Sequence, residues 1–274
     1  MIDIIVPVYD GYDQTKKCIE SIIKYYKPIN NRVLIINDCS PDQRVSNLLN
    51  KLDIDNFIVL NNEQNMGFIG TVNKGIKFSE NNDVILLNSD TVVTENWATK
   101  LESAAKSSKN IGTVTALTNN GTIVSVPKFN QDNKLPEGYN IDTFAHLVER
   151  VSKRIYPTIP TCVGHAVYIK RELINKIGML DQESFGKGYC EENDFSARAI
   201  LAGYKNIVAD DTFIFHYGST SFGKDKDEYI SQHKKILYKK HRWYKYYIKK
   251  FMLFDKKIKN ICKQIDNVIN RENS

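Results

Sequence analysis

Short apolar runs alternate with longer amphipathic stretches through the first 116 residues. Residues 2–8, 32–37, 56–60, 84–87 and 111–116 are runs of strand length, and Val33-Leu34-Ile35-Ile36 and Val84-Ile85-Leu86-Leu87 are apolar at every position. An apolar run without alternation marks a strand covered on both faces. Between these runs, residues 14–26 carry Cys18, Ile22, Ile23 and Tyr26 at helical spacing, and 44–52, 67–78 and 97–107 read as further helices. A strand–helix succession of this kind predicts right-handed crossovers and an α/β fold, a mostly parallel central sheet flanked by helices.

The pattern weakens over residues 118–159, which are polar and turn-rich apart from one helical stretch at 143–155. A segment of that length is commonly functional. A strand at 161–169, short helices at 171–177 and 194–202, and short strands at 206–208 and 213–216 follow, and from residue 227 onward the mixture of Lys, Tyr, Ile and Leu predicts one or two long helices. The expected organisation is a main domain over 1–223 and a basic, aromatic-rich helical extension over 224–274. There is no internal repeat and no low-complexity tract.

Several strands end abruptly in polar residues. Ligands of open α/β sheets bind outside the carboxyl ends of the strands, so these ends are the places to look for chemistry. The first gives Val6-Pro7-Val8-Tyr9-Asp10, where a proline near the strand end frees backbone groups from the ladder. The second gives Asn37-Asp38-Cys39-Ser40-Pro41, whose carboxylate either accepts from a ligand or simply makes a turn. The third leads into Asn65-Met66-Gly67-Phe68, a glycine-bearing turn into a helix; it lacks both the dinucleotide spacing and a P-loop. The fourth gives Asn88-Ser89-Asp90. Later, Cys190-Glu191-Glu192-Asn193-Asp194 places three acids at a helix start. That is more than capping needs, and crowded carboxylates raise one another's pKa, as a general base requires. Phe213-Ile214-Phe215-His216 is an apolar strand ending in histidine.

Taken in order, VPVYD, NDCSPD, NMGFIGTVNKGI, LLNSDT, GKGYCEENDFSARAILAGY and IFHYGS resemble the family 2 glycosyltransferases of GT-A (Rossmann-like) fold, over about residues 2–222. The resemblance implies an inverting, metal-dependent transfer of one sugar from a nucleotide-diphosphate donor, usually a UDP-sugar, to a hydroxyl of a glycan, glycoprotein or lipid-linked acceptor. It implies Pro7, Val8 and Tyr9 around the base and ribose, Asp38 on the base edge, Asn65 and Gly67 completing that pocket, and Asn73 near the diphosphate. Asn88-Ser89-Asp90 stands where the family has its DxD motif, with Asn in place of the first acid, so Asp90 becomes the main ligand of Mn2+ or Mg2+ and His216 a second. Glu192 aligns with the base, where the family more often has Asp, and Glu191 and Asp194 are the alternatives. The processive QxxRW signature is absent, which favours addition of one sugar at a time. Two other readings are a non-catalytic nucleotide-sugar-binding or assembly module and a sugar nucleotidyltransferase. The second would want a basic phosphate loop after the first strand, where Tyr9-Asp10-Gly11-Tyr12-Asp13 is acidic.

Composition sharpens the picture in two places. Of the net charge of +6, residues 224–274 supply +9 and the rest of the chain is mildly acidic. Lysines interleaved with Tyr, Trp and Phe there fit peripheral membrane contact, a homo-oligomer contact or packing on the core; nothing else in the chain supports nucleic acid. The five cysteines are scattered, with no CxxC pair, and read as packing residues in a reducing cytoplasm. The first six residues lead directly into a strand without a basic leader, so no secretory signal is expected.

Overall fold

The computed structural model describes residues 1–25, 31–218 and 226–272. Among the described residues are ten strands: β1 (Ile2–Val8), β2 (Asn31–Asn37), β3 (Phe57–Asn61), β4 (Asp83–Leu87), β5 (Thr91–Val92), β6 (Ile111–Leu117), β7 (Thr158–Ile159), β8 (Ala166–Ile169), β9 (Lys205–Phe213) and β10 (Phe215–His216). Helices α1 (Tyr12–Tyr25), α2 (Gln43–Leu49), α3 (Gly67–Phe78), α4 (Trp97–Lys106), α5 (Ile141–Val151), α6 (Arg171–Ile177), α7 (Gln182–Phe185) and α8 (Glu191–Leu201) connect them. Helices α9 (Lys226–Lys240), α10 (Tyr244–Phe254) and α11 (Lys257–Glu272) follow the last strand. The expected helix end at Tyr26, the boundary at 223/224 and Ser219 of the IFHYGS stretch lie outside the described residues.

Eight strands form the central sheet in the order β3-β2-β1-β4-β8-β6-β9-β7. The run β3-β2-β1-β4 and the pair β6–β9 are parallel, whereas β8 is antiparallel to both its neighbours, as is β7 to β9. The sheet is therefore mixed, because two strands from the second half of the chain, β7 and β8, run against the direction of the other six. Side-chain alternation then builds two cores. Ile4, Val6, Val33, Ile35, Ile85 and Leu87 face one side with α1, α2 and α4. Ile5, Leu34, Ile36, Val84 and Leu86 face the other, with α3, α6 and α8. Strands buried on both faces are why the sequence shows no alternation there.

The last three helices are anchored to the body of the protein. Leu237 of α9 and Tyr244 of α10 join the second core. Ile258, Ile261, Cys262, Ile265 and Ile269 of α11 form a third core with α5 and β9. These five positions recur at the i, i+3, i+4, i+7 spacing of one helix face. Among the described residues no helix is long and apolar enough to cross a membrane.

Candidate active site

The carboxyl ends of β1, β2 and β4 open onto one cavity of about 600 Å³, a volume suited to a small-molecule ligand. Pro7, Val8 and Tyr9 line it from β1, and Asp38 from the end of β2. Asn65 and Gly67 reach it from the turn into α3, and Asn88, Ser89 and Asp90 from the turn after β4. Glu191 and Glu192 close it from the start of α8, and His216 from β10.

Asp38 organises the wall beside α3. Its carboxylate accepts from the Met66 and Gly67 backbone amides at 2.7 and 2.9 Å and from the Asn62 side chain at 2.8 Å. Hydrogen bonds to a charged acceptor contribute about 1.5–3 kcal/mol each, so the turn is held firmly. Gly67 has φ +71°, and a Cβ there would lie 2.7 Å from the Lys187 side chain. Only glycine satisfies both the left-handed backbone and the close approach.

Asp90 and His216 are 126 positions apart in sequence and touch in space. Strand β5, which starts right after Asp90, pairs antiparallel with β10, with His216 opposite Thr91. The Tyr217 amide donates to the Asp90 carbonyl at 2.9 Å. The ribbon brings His216 Nε2 to 3.2 Å from Asp90 Oδ1. On the far side of the ring, Nδ1 lies 2.6 Å from the Asn120 carbonyl oxygen. A carbonyl only accepts, so Nδ1 carries the proton and Nε2 faces the Asp90 carboxylate. Burial pulls the imidazole pKa down, but the hydrogen bond and charge of Asp90 more than offset it, and the net shift is upward.

The two glutamates at the start of α8 are both pushed above the usual carboxylate range. Burial raises Glu191. Burial and then the charge of Glu191 raise Glu192, with the Gly164 amide opposing. Glu191 is 4% exposed and its Oε2 has no hydrogen-bond partner. Glu192 is more exposed, and its carboxylate lies directly against the Gly164 backbone, where a Cβ would come within 1.8 Å of Oε1. The Asp90–His216 pair and the Glu191–Glu192 pair thus line one cavity.

Residues 3–178 match the sequence profile of "Glycosyl transferase family 2". The chain belongs to glycosyl transferase family 2. No curated protein sequence matches the chain. Solved structures show the same fold at low identity. The chain is similar to a mannosyltransferase from Pyrobaculum calidifontis in complex with GDP-Man and Mn2+, with a TM-score of 0.61, 16% identity, and coverage of 87% of this chain and 63% of that one. It is similar to GalNAc-T7 with UDP, GalNAc and Mn2+, with a TM-score of 0.60, 17% identity, and coverage of 79% and 43%. It is also similar to residues 1–349 of S. aureus TarS, with a TM-score of 0.53, 19% identity, and coverage of 88% and 72%. The chain thus spans less than two thirds of the length of the first two.

Two residues expected in the site of this family-2 chain are elsewhere. Asn73 does not line the cavity. Its amide donates to the Leu180 carbonyl at 2.8 Å and accepts from the Leu180 amide at 3.1 Å, which clamps α3 to the segment before α7. Asp194 is fully buried one turn along α8, with its carboxylate bound to Arg198 at 2.7 Å, His241 at 2.8 Å and Lys240 at 3.2 Å. Burial alone would raise its pKa; the His241 hydrogen bond and the Arg198 and Lys240 charges outweigh this and hold it low. A carboxylate so committed is not a proton acceptor for a substrate, and its partners show that it ties the C-terminal helices to α8.

Two residues that line the cavity carry no signal in the sequence. Gly164 makes room for Glu192. His165 lines the same cavity, is 2% exposed, and has its ring 5.8 Å from that of His216. Burial, followed by the neighbouring His216, pushes its pKa far down. Its backbone carbonyl accepts from the Asn88 amide at 3.0 Å, fixing the turn that carries Asp90. Gly164 and His165 fall inside the 161–169 segment expected to be a strand. The strand starts only at Ala166, because the preceding residues form the cavity wall.

A divalent cation fits the Asp90–His216 pair. Nε2 of His216 is buried and faces Asp90 Oδ1 at 3.2 Å, an arrangement that calls for a proton or a cation between them. The separation of 3.2 Å is also that of adjacent corners around a six-coordinate cation with ligands at about 2.1 Å. Among the described residues no three His, Cys, Asp or Glu side chains form a ready-made cage.

Proposed function

We propose that the chain is a metal-dependent, inverting glycosyltransferase that moves one sugar from a nucleotide-diphosphate donor, a UDP-sugar, to a hydroxyl of a glycan, glycoprotein or lipid-linked acceptor. The observation that carries this reading is the convergence of the Asp90–His216 pair and the raised Glu191–Glu192 pair on one cavity at the strand ends. Pro7, Val8, Tyr9, Asp38, Asn65 and Gly67 would hold the nucleoside, and Asn88, Ser89 and Asp90 the diphosphate side. Asp90 and His216 would hold Mn2+ or Mg2+. The similar structures that hold Mn2+ with UDP or with GDP-Man support a divalent cation and a nucleotide-sugar donor. Bound there, the cation supplies positive charge for the departing diphosphate.

Glu192 is the base on this reading. Its raised pKa strengthens it as a proton acceptor, and it is the more exposed of the two glutamates. It takes the proton of the acceptor hydroxyl as that oxygen bonds to the anomeric carbon. The bond from that carbon to the phosphate oxygen breaks, and the nucleoside diphosphate leaves with the electron pair. A single displacement inverts the anomeric centre, by the logic of inverting glycosidases with an alcohol in place of water. Glu191 raises the affinity of Glu192 for the proton through its charge.

The catalytic unit on this reading is 1–223, with 224–274 a basic helical extension. A cytoplasmic setting goes with it: all five cysteines are free thiols, as a reducing compartment keeps them. The test is release of nucleoside diphosphate from a panel of UDP- and GDP-sugars with Mn2+, with the product anomer read by NMR. Transfer from a UDP-sugar with inversion supports the reading. Retention of configuration, or transfer by Glu192→Gln at the normal rate, rejects the base assignment.

A further inference from the structure

Helix α10 is amphipathic in an unusual way. Its inner face is apolar, as expected: Tyr244 is fully buried, and Tyr247 and Ile248 pack on the second core. Its outer face is also partly apolar. Tyr246, Leu253 and Phe254 are 74%, 61% and 70% exposed, and Lys245, Lys249 and Lys250 are exposed among them. Positions 245, 246, 249, 250, 253 and 254 follow the i, i+1, i+4, i+5, i+8, i+9 spacing of one helix face. No acidic residue occurs between Tyr244 and Phe254.

We propose that this outer face docks the protein on an anionic lipid surface, with the Tyr246, Leu253 and Phe254 side chains in the interface and the lysines on the phosphates. Packing does not account for the three apolar tips, because α10 already holds the core with its opposite face. Lysines without acids select a negative partner. A second copy of the chain would oppose lysines to lysines across a two-fold axis. Non-specific single-stranded nucleic acid is bound in grooves with stacking platforms, whereas this is a convex helix face with an aliphatic tip. A helix with basic residues and exposed aromatic and aliphatic tips matches an interfacial helix lying in the plane of a bilayer. The proposal is independent of the sugar-transfer reading, because docking is measured without donor or acceptor.

The test is co-sedimentation of the full chain with vesicles of phosphatidylcholine alone and with 30% phosphatidylglycerol, at low salt and in 0.5 M NaCl. Two variants accompany it: Tyr246→Ser/Leu253→Ser/Phe254→Ser, and Lys245→Gln/Lys249→Gln/Lys250→Gln. Circular dichroism melts check that both stay folded. The expected result is binding to anionic vesicles only, at least tenfold weaker in high salt and in each variant. Nucleoside diphosphate release in solution should be unchanged in both variants. Wild-type protein remaining in the supernatant, variants binding like wild type, or binding to single-stranded RNA in preference to anionic vesicles would each overturn the proposal.

Discussion

Replacing Gly164 with alanine separates catalysis from folding at one atom. The backbone of Gly164 is not in the left-handed region, so alanine adds no conformational strain. Its methyl group, however, would stand 1.8 Å from Glu192 Oε1 and 2.9 Å from Cδ. Ordinary contact begins near 3.4 Å, so the carboxylate must retreat by about 1.6 Å. The atom in the way is the end of a side chain that is free to turn into the cavity, so the fold accommodates the change easily. A catalytic group misplaced by about 1 Å costs on the order of 100-fold in rate, about 2.7 kcal/mol in the barrier. Gly164→Ala should therefore lose at least about 100-fold in kcat, keep its affinity for the nucleotide diphosphate, and melt within a few degrees of wild type. The assays are nucleoside diphosphate release at saturating donor and acceptor, titration calorimetry, and a thermal melt. Wild-type kcat in a folded Gly164→Ala protein would refute the placement of Glu192 as the base.

Three further outcomes follow from the same structure. Burial and the Glu191 charge raise the Glu192 pKa in the folded state, so folding favours its proton; the stabilisation this gives is fully present below the unfolded value near ~4.3 and is lost as pH rises through the folded value. Glu192→Gln should accordingly melt higher than wild type at pH 8 and no higher at pH 4, and the acid limb of wild-type kcat against pH should lie above that of an ordinary glutamate. Asp194→Asn leaves Arg198, His241 and Lys240 without their shared carboxylate and should cost about 3–5 kcal/mol, read by denaturant unfolding, whereas a catalytic Asp194 would lose activity at full stability. Asn73→Ala strands the Leu180 amide and carbonyl and should cost about 1–3 kcal/mol per group with donor affinity unchanged; a large loss of donor affinity without a fall in stability would return Asn73 to the diphosphate site.

Most of the sheet was legible because β1, β2 and β4 are buried on both faces and carry unbroken apolar runs. Strand direction was not legible. Ala166–Ile169 has the same burial whichever way it runs, and only its partners make it antiparallel. Strand β9 runs on to Phe213, whereas the sequence pattern ends it at Val208, because Asp210 and Asp211 interrupt the apolar run. Both are buried, at 1% and 2% exposure. Asp210 accepts from Ser152 and the Tyr156 amide, and Asp211 from Arg154. Those partners lie more than 50 positions earlier, so a local reading sees only two charges. The strand ends carrying Asp38 and Asp90 stood out because carboxylates follow apolar runs. Asn73 and Asp194 misled for a related reason. Polar side chains near a site look alike in sequence whether they face the cavity or satisfy buried backbone and cations. Gly164 and His165 carried no local signal, since a glycine that makes room for Glu192 and a buried histidine are defined by what lies opposite.

On the proposed function, Asp90 and His216 hold a divalent cation against a nucleotide diphosphate in this cavity. Titration calorimetry of UDP into the protein with Mn2+, into the same protein with EDTA, and into Asp90→Ala with Mn2+ tests it most directly. Saturable one-to-one binding is expected with Mn2+, falling at least tenfold in the other two titrations. UDP binding of equal affinity in all three, or no binding to the wild-type protein with Mn2+, would contradict it.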